Sequence, residues 1–500
     1  MERPADSDAR GGTVGNRAVA NTKWIVLAPV AARAAGAAGT VVLARLLSPA
    51  DYGLMAFAGV MLSFVAIFQD LGITQTLIAA PGEISAKLLP AFCMSAASGL
   101  LIYGLLSATA SPFARFVGEP DLAGILLAMG LVVTLQTLGQ VHHAILVRRE
   151  AFRWVFAITV AHTASFVAIS IVLGILGWGV WALALGHLGS HLLRTAALWA
   201  VAGWRPWRAA AGSPLYSPEL LRFGGTLAGT SLLDWGAEGF LFLWAGKQLG
   251  SRPLGVYRVS FEAARMSYFG LPALASSVGL TSYAALQGDL PEMKRLMLKA
   301  IRVVNGVSMP VAACLVALAP WVVPVVWGHK WLEAAPVLSV LAAMAIAAPM
   351  ANVVRPYLVT SGQVGWLLKL TTLRFALFVA VIPLAATHGI VAVAWAHLGL
   401  MILSGSALAA RALRGLGGTL ADILDAVLWP LLRAAACGLA ALVVARSMNG
   451  AVAPVVLLAS LSTGAAAYLG GVYLTSRASF EELRSVLVRV AGPGSGGRRF

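Results

Sequence analysis

The chain has 500 residues, of which 59% are hydrophobic and 11% charged, with a formal net charge of +16. A soluble domain carries roughly 25% charged residues and keeps a polar shell even when large, so a soluble globular protein is excluded. Apolar runs of about 20 residues recur along the whole length, each enough to cross a hydrocarbon layer of about 30 Å as a helix. They lack the apolar–polar alternation of a membrane barrel.

The first 23 residues, MERPADSDARGGTVGNRAVANTK, are polar and contain no signal-peptide apolar stretch, so the first span is expected to stay in the protein. Fourteen helical spans follow, at about 24–44, 54–79, 88–110, 121–147, 154–176, 179–201, 221–246, 254–285, 297–319, 335–360, 366–387, 389–410, 426–446 and 451–475. The eighth is long enough to tilt or break and holds Pro272. With an even number of spans both tails share one side. On that topology the tails and even-numbered connections hold 23 of the 36 Lys and Arg, the opposite side six, and the spans seven. The asymmetry places both termini in the cytoplasm. Topology and anionic headgroups account for the positive surplus, so no nucleic-acid partner is expected.

The turn ARLLSPADYG at 44–53 interrupts two apolar runs, with Arg45 at the membrane edge and Ser48-Pro49 stopping the first helix. AGKQLGSRPLGVY at 245–257 repeats it: Arg45 falls on Lys247, Leu47 on Leu249 and Gly53 on Gly255, at an offset of 202. HAILVRREAFRW at 143–154 matches RPYLVTSGQVGW at 355–366 at an offset of 212, setting Trp154 on Trp366. Each block has six spans, an even number, so the repeat is parallel, about an axis along the membrane normal.

ARLLSPADYGLMAFAGVMLSFVAIFQDLGITQTLI resembles the first hairpin of bacterial polysaccharide transporters and Wzx-type oligosaccharide-lipid flippases, in the multidrug/oligosaccharidyl-lipid/polysaccharide flippase superfamily. ILVRREAFRW, LGVYRVSFEAARM and VVWGHKWLEAAPVLSVLA extend the likeness across residues 40 to 365. The resemblance implies an all-α polytopic membrane protein with two six-helix lobes around a central cavity, open alternately to either side. The expected organisation is an N-terminal tail (1–23), an N-lobe (24–210), a C-lobe (211–425), two further spans (426–475) and a basic tail (476–500). The implied cargo is a glycan on undecaprenyl pyrophosphate in a bacterial cytoplasmic membrane, serving lipopolysaccharide, capsule or exopolysaccharide synthesis. Expected partners are that lipid-linked oligosaccharide, membrane lipids, and polysaccharide polymerase or export machinery. Alternatives are a drug or small-cation exporter of the same superfamily, and a membrane glycan polymerase or glycosyltransferase.

Eleven ionisable side chains lie in spans. Facing lipid they would cost roughly 30 kcal/mol, beyond the net stability of about 5–15 kcal/mol of a whole fold. Lys369 and Arg433 lie near cytoplasmic ends, where they can snorkel. Arg258, Glu262 and Arg265, at i, i+4 and i+7, share one face of the eighth span, and Asp234 and Glu238 pair likewise on the seventh. Such a stripe can lock two helices together or line a cavity. The cavity cations expected to hold an anionic pyrophosphate are Arg33, Arg258, Arg265, Arg355 and Arg374, because guanidinium forms bidentate bonds to phosphate oxygens. Asp70, Asp234, Glu238 and Glu262 are the acids able to carry protons or to compete for those cations.

His187 and His191 are spaced for a metal pair, but packing is the stronger reading, and neither metal nor cofactor is expected. Cys93, Cys314 and Cys437 read as small core residues with no disulfide. No Gly-rich nucleotide loop, ATPase domain or catalytic constellation in an aqueous loop is found, so an enzyme is not expected. The charge asymmetry makes a direct topological prediction. A reporter active only in the cytoplasm, fused after Phe500, should be active, and one inserted at Glu119 in an outer turn should be silent. The reverse pattern would invert the topology.

Overall fold

The computed structural model describes residues 35–36, 38–69, 84–208, 218–268, 288–448 and 451–475, together with Thr74, Leu77, Ile78, Tyr283 and Leu286. Arg33 and Asp70 lie outside the described residues. A helical stretch at 38–46 is followed by α1 (Pro49–Gln69), α2 (Ser85–Val117), α3 (Leu122–Arg148), α4 (Phe152–Ile175), α5 (Val180–Ala202), α6 (Pro218–Leu249) and α7 (Ser251–Met266). Then come α8 (Leu290–Val326), α9 (Ala334–Ala342), α10 (Ala348–Thr360), α11 (Val364–Ala386), α12 (Ile390–Gly415), α13 (Leu420–Ser447) and α14 (Ala453–Thr475). No strand occurs among the described residues. The chain divides into two compact units, Met1–Gly239 and Phe240–Ser495, and the division falls inside α6.

Ten helical segments among the described residues are long and apolar enough to cross a membrane, with α9 and α10 counted as one. The expected first and eighth spans extend beyond the described residues, and the helix of the eighth ends at Met266. Helices α5 and α6, with 23 and 32 residues, are the other two expected spans. Several helices outrun the apolar runs that announced them. Helix α8 has 37 residues, because Asp289 caps its polar first turn by accepting from the Glu292 amide at 3.1 Å. The tenth span is interrupted by a 3-10 turn at Ala343–Ile346. Pro349, in the first turn of α10, has no N–H to continue the α-helical ladder through that point.

The interrupting stretch at 44–53 is a helix-capping device. The amide and hydroxyl of Ser48 both donate to the Asp51 carboxylate, at 2.8 and 2.7 Å, and the Asp51 amide donates back to Ser48 Oγ at 3.2 Å. With Pro49 as the first helical residue, this is a capping box that starts α1. The corresponding helix α7 starts at Ser251, 202 positions after Pro49, behind Gly250 at φ 86°, a conformation that suits glycine. Helices α4 and α11 start at Phe152 and Val364, 212 positions apart, so element boundaries carry the offsets found in the sequence repeat.

In the first unit, α3 is the central element, packed on α1, α2, α4 and α5. The arginines of the turn after α3 do more than set topology. Arg148 donates to the Leu77 and Ile78 carbonyls, and Arg149 donates to the Ala202 carbonyl at 2.8 Å, tying α3 to the end of α5. In the second unit α8 is central. It packs on α9, α10, α13 and α14. Glycine permits close approach here: a Cβ on Gly438 of α13 would stand 3.0 Å from the Ala313 carbonyl oxygen of α8.

Helix α8 contains Pro310, Pro320 and Pro324. Each proline lacks the N–H that would bond the carbonyl four residues earlier, and hydrocarbon offers no water in its place. Neighbouring helices supply donors for two of the three. The Tyr468 hydroxyl of α14 donates to the Gly306 carbonyl, which Pro310 leaves open. Ser339 of α9 donates to the Val316 carbonyl at 3.0 Å, which Pro320 leaves open. Tyr468→Phe and Ser339→Ala should each lower thermal stability in detergent, by about 1–2 kcal/mol. Pro310→Ala should reduce the Tyr468→Phe loss by restoring the missing N–H; additive losses in that double-mutant cycle would refute the pairing.

Candidate functional site

On α7 of the second unit the expected stripe is assembled. Arg258 Nη2 lies 2.9 Å from Glu262 Oε1, and Arg265 Nη1 lies 3.7 Å from the same oxygen. The three side chains are 38%, 40% and 32% exposed, neither buried nor fully solvated. Aromatic faces back both cations: the Arg258 guanidinium sits 5.4 Å from the Phe242 ring centre of α6, and that of Arg265 lies 5.6 Å from Phe261. These three side chains carry one net positive charge between them.

The opposite face of α7 explains why this ladder is held still. Tyr257 is fully buried, and its hydroxyl lies 2.5 Å from Nδ1 of buried His397 on α12. Phe242, Phe261 and Phe378 pack around that pair, with ring centres 5.4 to 6.0 Å apart: Phe242–Tyr257 and Phe378–His397 meet edge to face and Tyr257–Phe261 is stacked. Ser260 donates to the Ala334 carbonyl of α9 at 3.4 Å. One helix thus presents a packed aromatic face and a charged face, as the i, i+4, i+7 spacing requires.

The other expected residues lie on three further helices. Arg355 is half-buried on α10, beside Pro356, and Arg374 is half-buried on α11. Glu238 is exposed on the first-unit part of α6. Asp234 is in the same helix, with its side chain outside the described residues. Helix α6 packs here through Trp235, which donates to Ser63 Oγ of α1 at 2.9 Å and lies tilted against Phe64, ring centres 4.9 Å apart.

The first unit holds a polar cavity of about 260 Å³, lined by Gln69, Thr74, Gln136, Gly139, Gln140, His143, Arg194, Thr195 and Leu198. It lies where the end of α1 meets α3 and α5. A hydrogen-bond chain forms part of its wall: Gln69 Nε2 donates to Gln136 Oε1 at 2.9 Å, and Gln136 Nε2 lies 3.2 Å from His191 Nε2. His162 of α4 stands edge-on to His191, with ring centres 4.4 Å apart, and His187 is 6.4 Å away. Among the described residues no group of three metal-ligating side chains occurs.

Sequence reasoning missed this cavity. Arg194 sits two turns from the end of its span and is easily counted with the cytoplasmic connection. Gln136, Gln140 and His143 are neutral, and so escape a search for charge. Yet their i, i+4, i+7 spacing within an apolar run is the same signal that located the α7 ladder.

The succession of long apolar helices, with polar sites among them, defines a polytopic membrane protein. The fold is shared with the lipid II flippase MurJ in an inward closed conformation, at a TM-score of 0.65 and 14% identity over 93% of this chain and 99% of that one. It is also shared with an inward-facing multidrug resistance MATE family transporter of the MOP superfamily, at 0.60 and 13% identity over 77% and 94%. The chain belongs to the polysaccharide biosynthesis protein family, which matches residues 42–336. The succinoglycan biosynthesis transport protein ExoT of Rhizobium meliloti (strain 1021) is 26% identical, over 69% of each chain. The lipopolysaccharide biosynthesis protein WzxC of Escherichia coli (strain K12) is 22% identical, over 73% of this chain and 74% of that one.

Gln136→Leu should lower thermal stability in detergent by about 1–3 kcal/mol, because it removes the shared hydrogen-bond partner of Gln69 and His191. An unchanged melting temperature would mean that the wall is not a continuous hydrogen-bond chain.

Proposed function

We propose that the chain is a flippase that carries lipid-linked oligosaccharide or polysaccharide precursors, glycans on undecaprenyl pyrophosphate, across the bacterial cytoplasmic membrane by alternating access. Both termini lie in the cytoplasm, and the chain moves its cargo without chemistry. Family membership and the names of ExoT and WzxC support the pathway, lipopolysaccharide, capsule or exopolysaccharide synthesis. The observation that carries the mechanism is the α7 ladder, two guanidiniums and one carboxylate with a net positive charge on a half-exposed face.

A diphosphate in hydrocarbon faces a desolvation cost of many kcal/mol, which only fixed cations or water can offset. Arg258 and Arg265 supply forked donors to its oxygens. Arg33, Arg355 and Arg374 are assigned to the same path. Cargo held equally in every state gains nothing for transport, so competition for the cations is part of the device. Glu262 provides it: the carboxylate recaptures both guanidiniums when the phosphate leaves. Asp70, Asp234 and Glu238 are assigned as further competing acids or proton carriers. An exporter of small cations would call for acidic lining, whereas among the described residues the first-unit cavity is lined by an arginine and no acid.

Removing the gene should make lipid-linked glycans accumulate on the cytoplasmic face, and their mass would identify the cargo. Arg258→Ala or Arg265→Ala should abolish surface glycan while the protein stays inserted and abundant, and Lys should rescue in part, restoring the charge without the fork. Unchanged surface glycan in the deletion strain would sink the flippase reading. Normal export by the double Ala variant would reject the ladder alone.

A further inference from the structure

Neither the ladder nor the cavity uses Cys314 of α8 and Cys437 of α13, yet their sulfurs lie 3.5 Å apart across 123 positions of the chain. The two helices meet here backbone to backbone. A Cβ on Gly438 would stand 3.0 Å from the Ala313 carbonyl oxygen, so the residues beside both cysteines are in contact. Helix α14 closes a third side, where a Cβ on Gly464 would lie 3.3 Å from Cys437 Sγ. Cys437 is therefore buried, at 2% exposure, while Cys314 keeps part of its surface exposed. Cys314 is also the twelfth residue of an uncharged run of 24, from Val303 to Val326, which sets the pair near the middle of the hydrocarbon. Cys93, the remaining cysteine of the chain, sits on α2 of the first unit.

A disulfide needs its two Cα atoms within about 7 Å, and helices that touch one residue away meet that requirement. In closing it, two S–H bonds break, one S–S bond forms, and two electrons and two protons leave. Their acceptor is selected by depth. Glutathione disulfide is charged and does not enter hydrocarbon, whereas a bilayer-soluble quinone takes both electrons and both protons and departs as the quinol. We propose that Cys314 and Cys437 are an oxidation site, closed to a disulfide by an acceptor of the quinone class, and that the closed form arrests α8. The place of the link on α8 gives the second half of that statement. Cys314 lies between Pro310 and Pro320, where the helix has lost its own backbone bonds and leans on Tyr468 and Ser339 of neighbouring helices. Prolines are where a helix bends, so a covalent tie to α13 at this point holds the segment best suited to move. The arrest of transport rests on the proposed flippase function; the disulfide itself does not.

The full chain, reconstituted in phospholipid vesicles, is treated with tetramethylbenzoquinone, whose ring has no open position for thiol addition, or with glutathione disulfide. Mass spectrometry of unreduced digests should find the Cys314 peptide joined to the Cys437 peptide and short of two hydrogens. Most chains should carry the link after quinone, and at least tenfold fewer after glutathione disulfide. Dithiothreitol should reverse it, Cys314→Ala should abolish it, and Cys93→Ala should leave it intact. In cells, the quinone should lower the rate of surface-glycan export at least threefold further in wild type than in Cys314→Ala. No joined peptide, or one that forms as readily through Cys93, overturns the site. A joined peptide with export lowered equally in wild type and Cys314→Ala overturns the arrest. If Cys314→Ala does not insert, Cys437→Ala makes the same comparison, and the wild-type digest judges the site without any variant. The deletion strain is scored separately. Normal surface glycan there removes the flippase reading, and the arrest with it, while the vesicle experiment still judges the disulfide.

Discussion

Hydrocarbon gives no water to a backbone carbonyl or to a charge, and each arrangement described above answers that deficit. Helices satisfy most of the backbone internally. Where a proline opens the ladder, a hydroxyl arrives from a neighbour, as Ser339 does for Val316. Where a cation must stay, it is backed by rings and bridged to a carboxylate, as Arg258 is by Phe242 and Glu262. The same rule makes Arg194 conspicuous, because it lines a polar cavity with no acid among the described lining residues.

The two units meet the deficit with different chemistry. The second uses charge on an aromatic base: α7 is fixed through Tyr257 and His397, which leaves its other face to hold an ion-pair ladder. The first uses neutral amides, with Gln69, Gln136 and His191 joined in one chain beside a single guanidinium. A ladder of opposite charges can rearrange as partners compete. A chain of neutral hydrogen bonds has no opposite charges to exchange and serves better as a fixed wall. Cargo that is exchanged and cargo that is positioned ask for these two kinds of surface.

Much of this was legible in the residues. The Ser48-Pro49-Asp51 turn announced a helix start, because its atoms bond within three residues of one another. The offsets of 202 and 212 were legible because a repeat preserves the positions at which helices begin. The Arg258–Glu262–Arg265 ladder was legible because helical spacing alone puts it on one face. What escaped depends on tertiary pairing. Arg194 gains its meaning from Gln140 and Gln136 on another helix. Cys314 and Cys437, separated by 123 positions and read as unrelated core residues, bring their sulfurs to 3.5 Å. Span edges escaped for a simpler reason, since caps and polar first turns extend helices beyond the apolar run.

The bond from Tyr468 to the Gly306 carbonyl changes how the last two helices are to be regarded. In the chain order they look like an addition after twelve spans. Yet α14 completes the backbone of α8 at the point where Pro310 leaves it incomplete. Pro310 and Tyr468 are therefore a matched lock and key across the sequence. A lineage that shed the final pair of helices would have to surrender that proline as well, or recruit another hydroxyl to the vacated carbonyl.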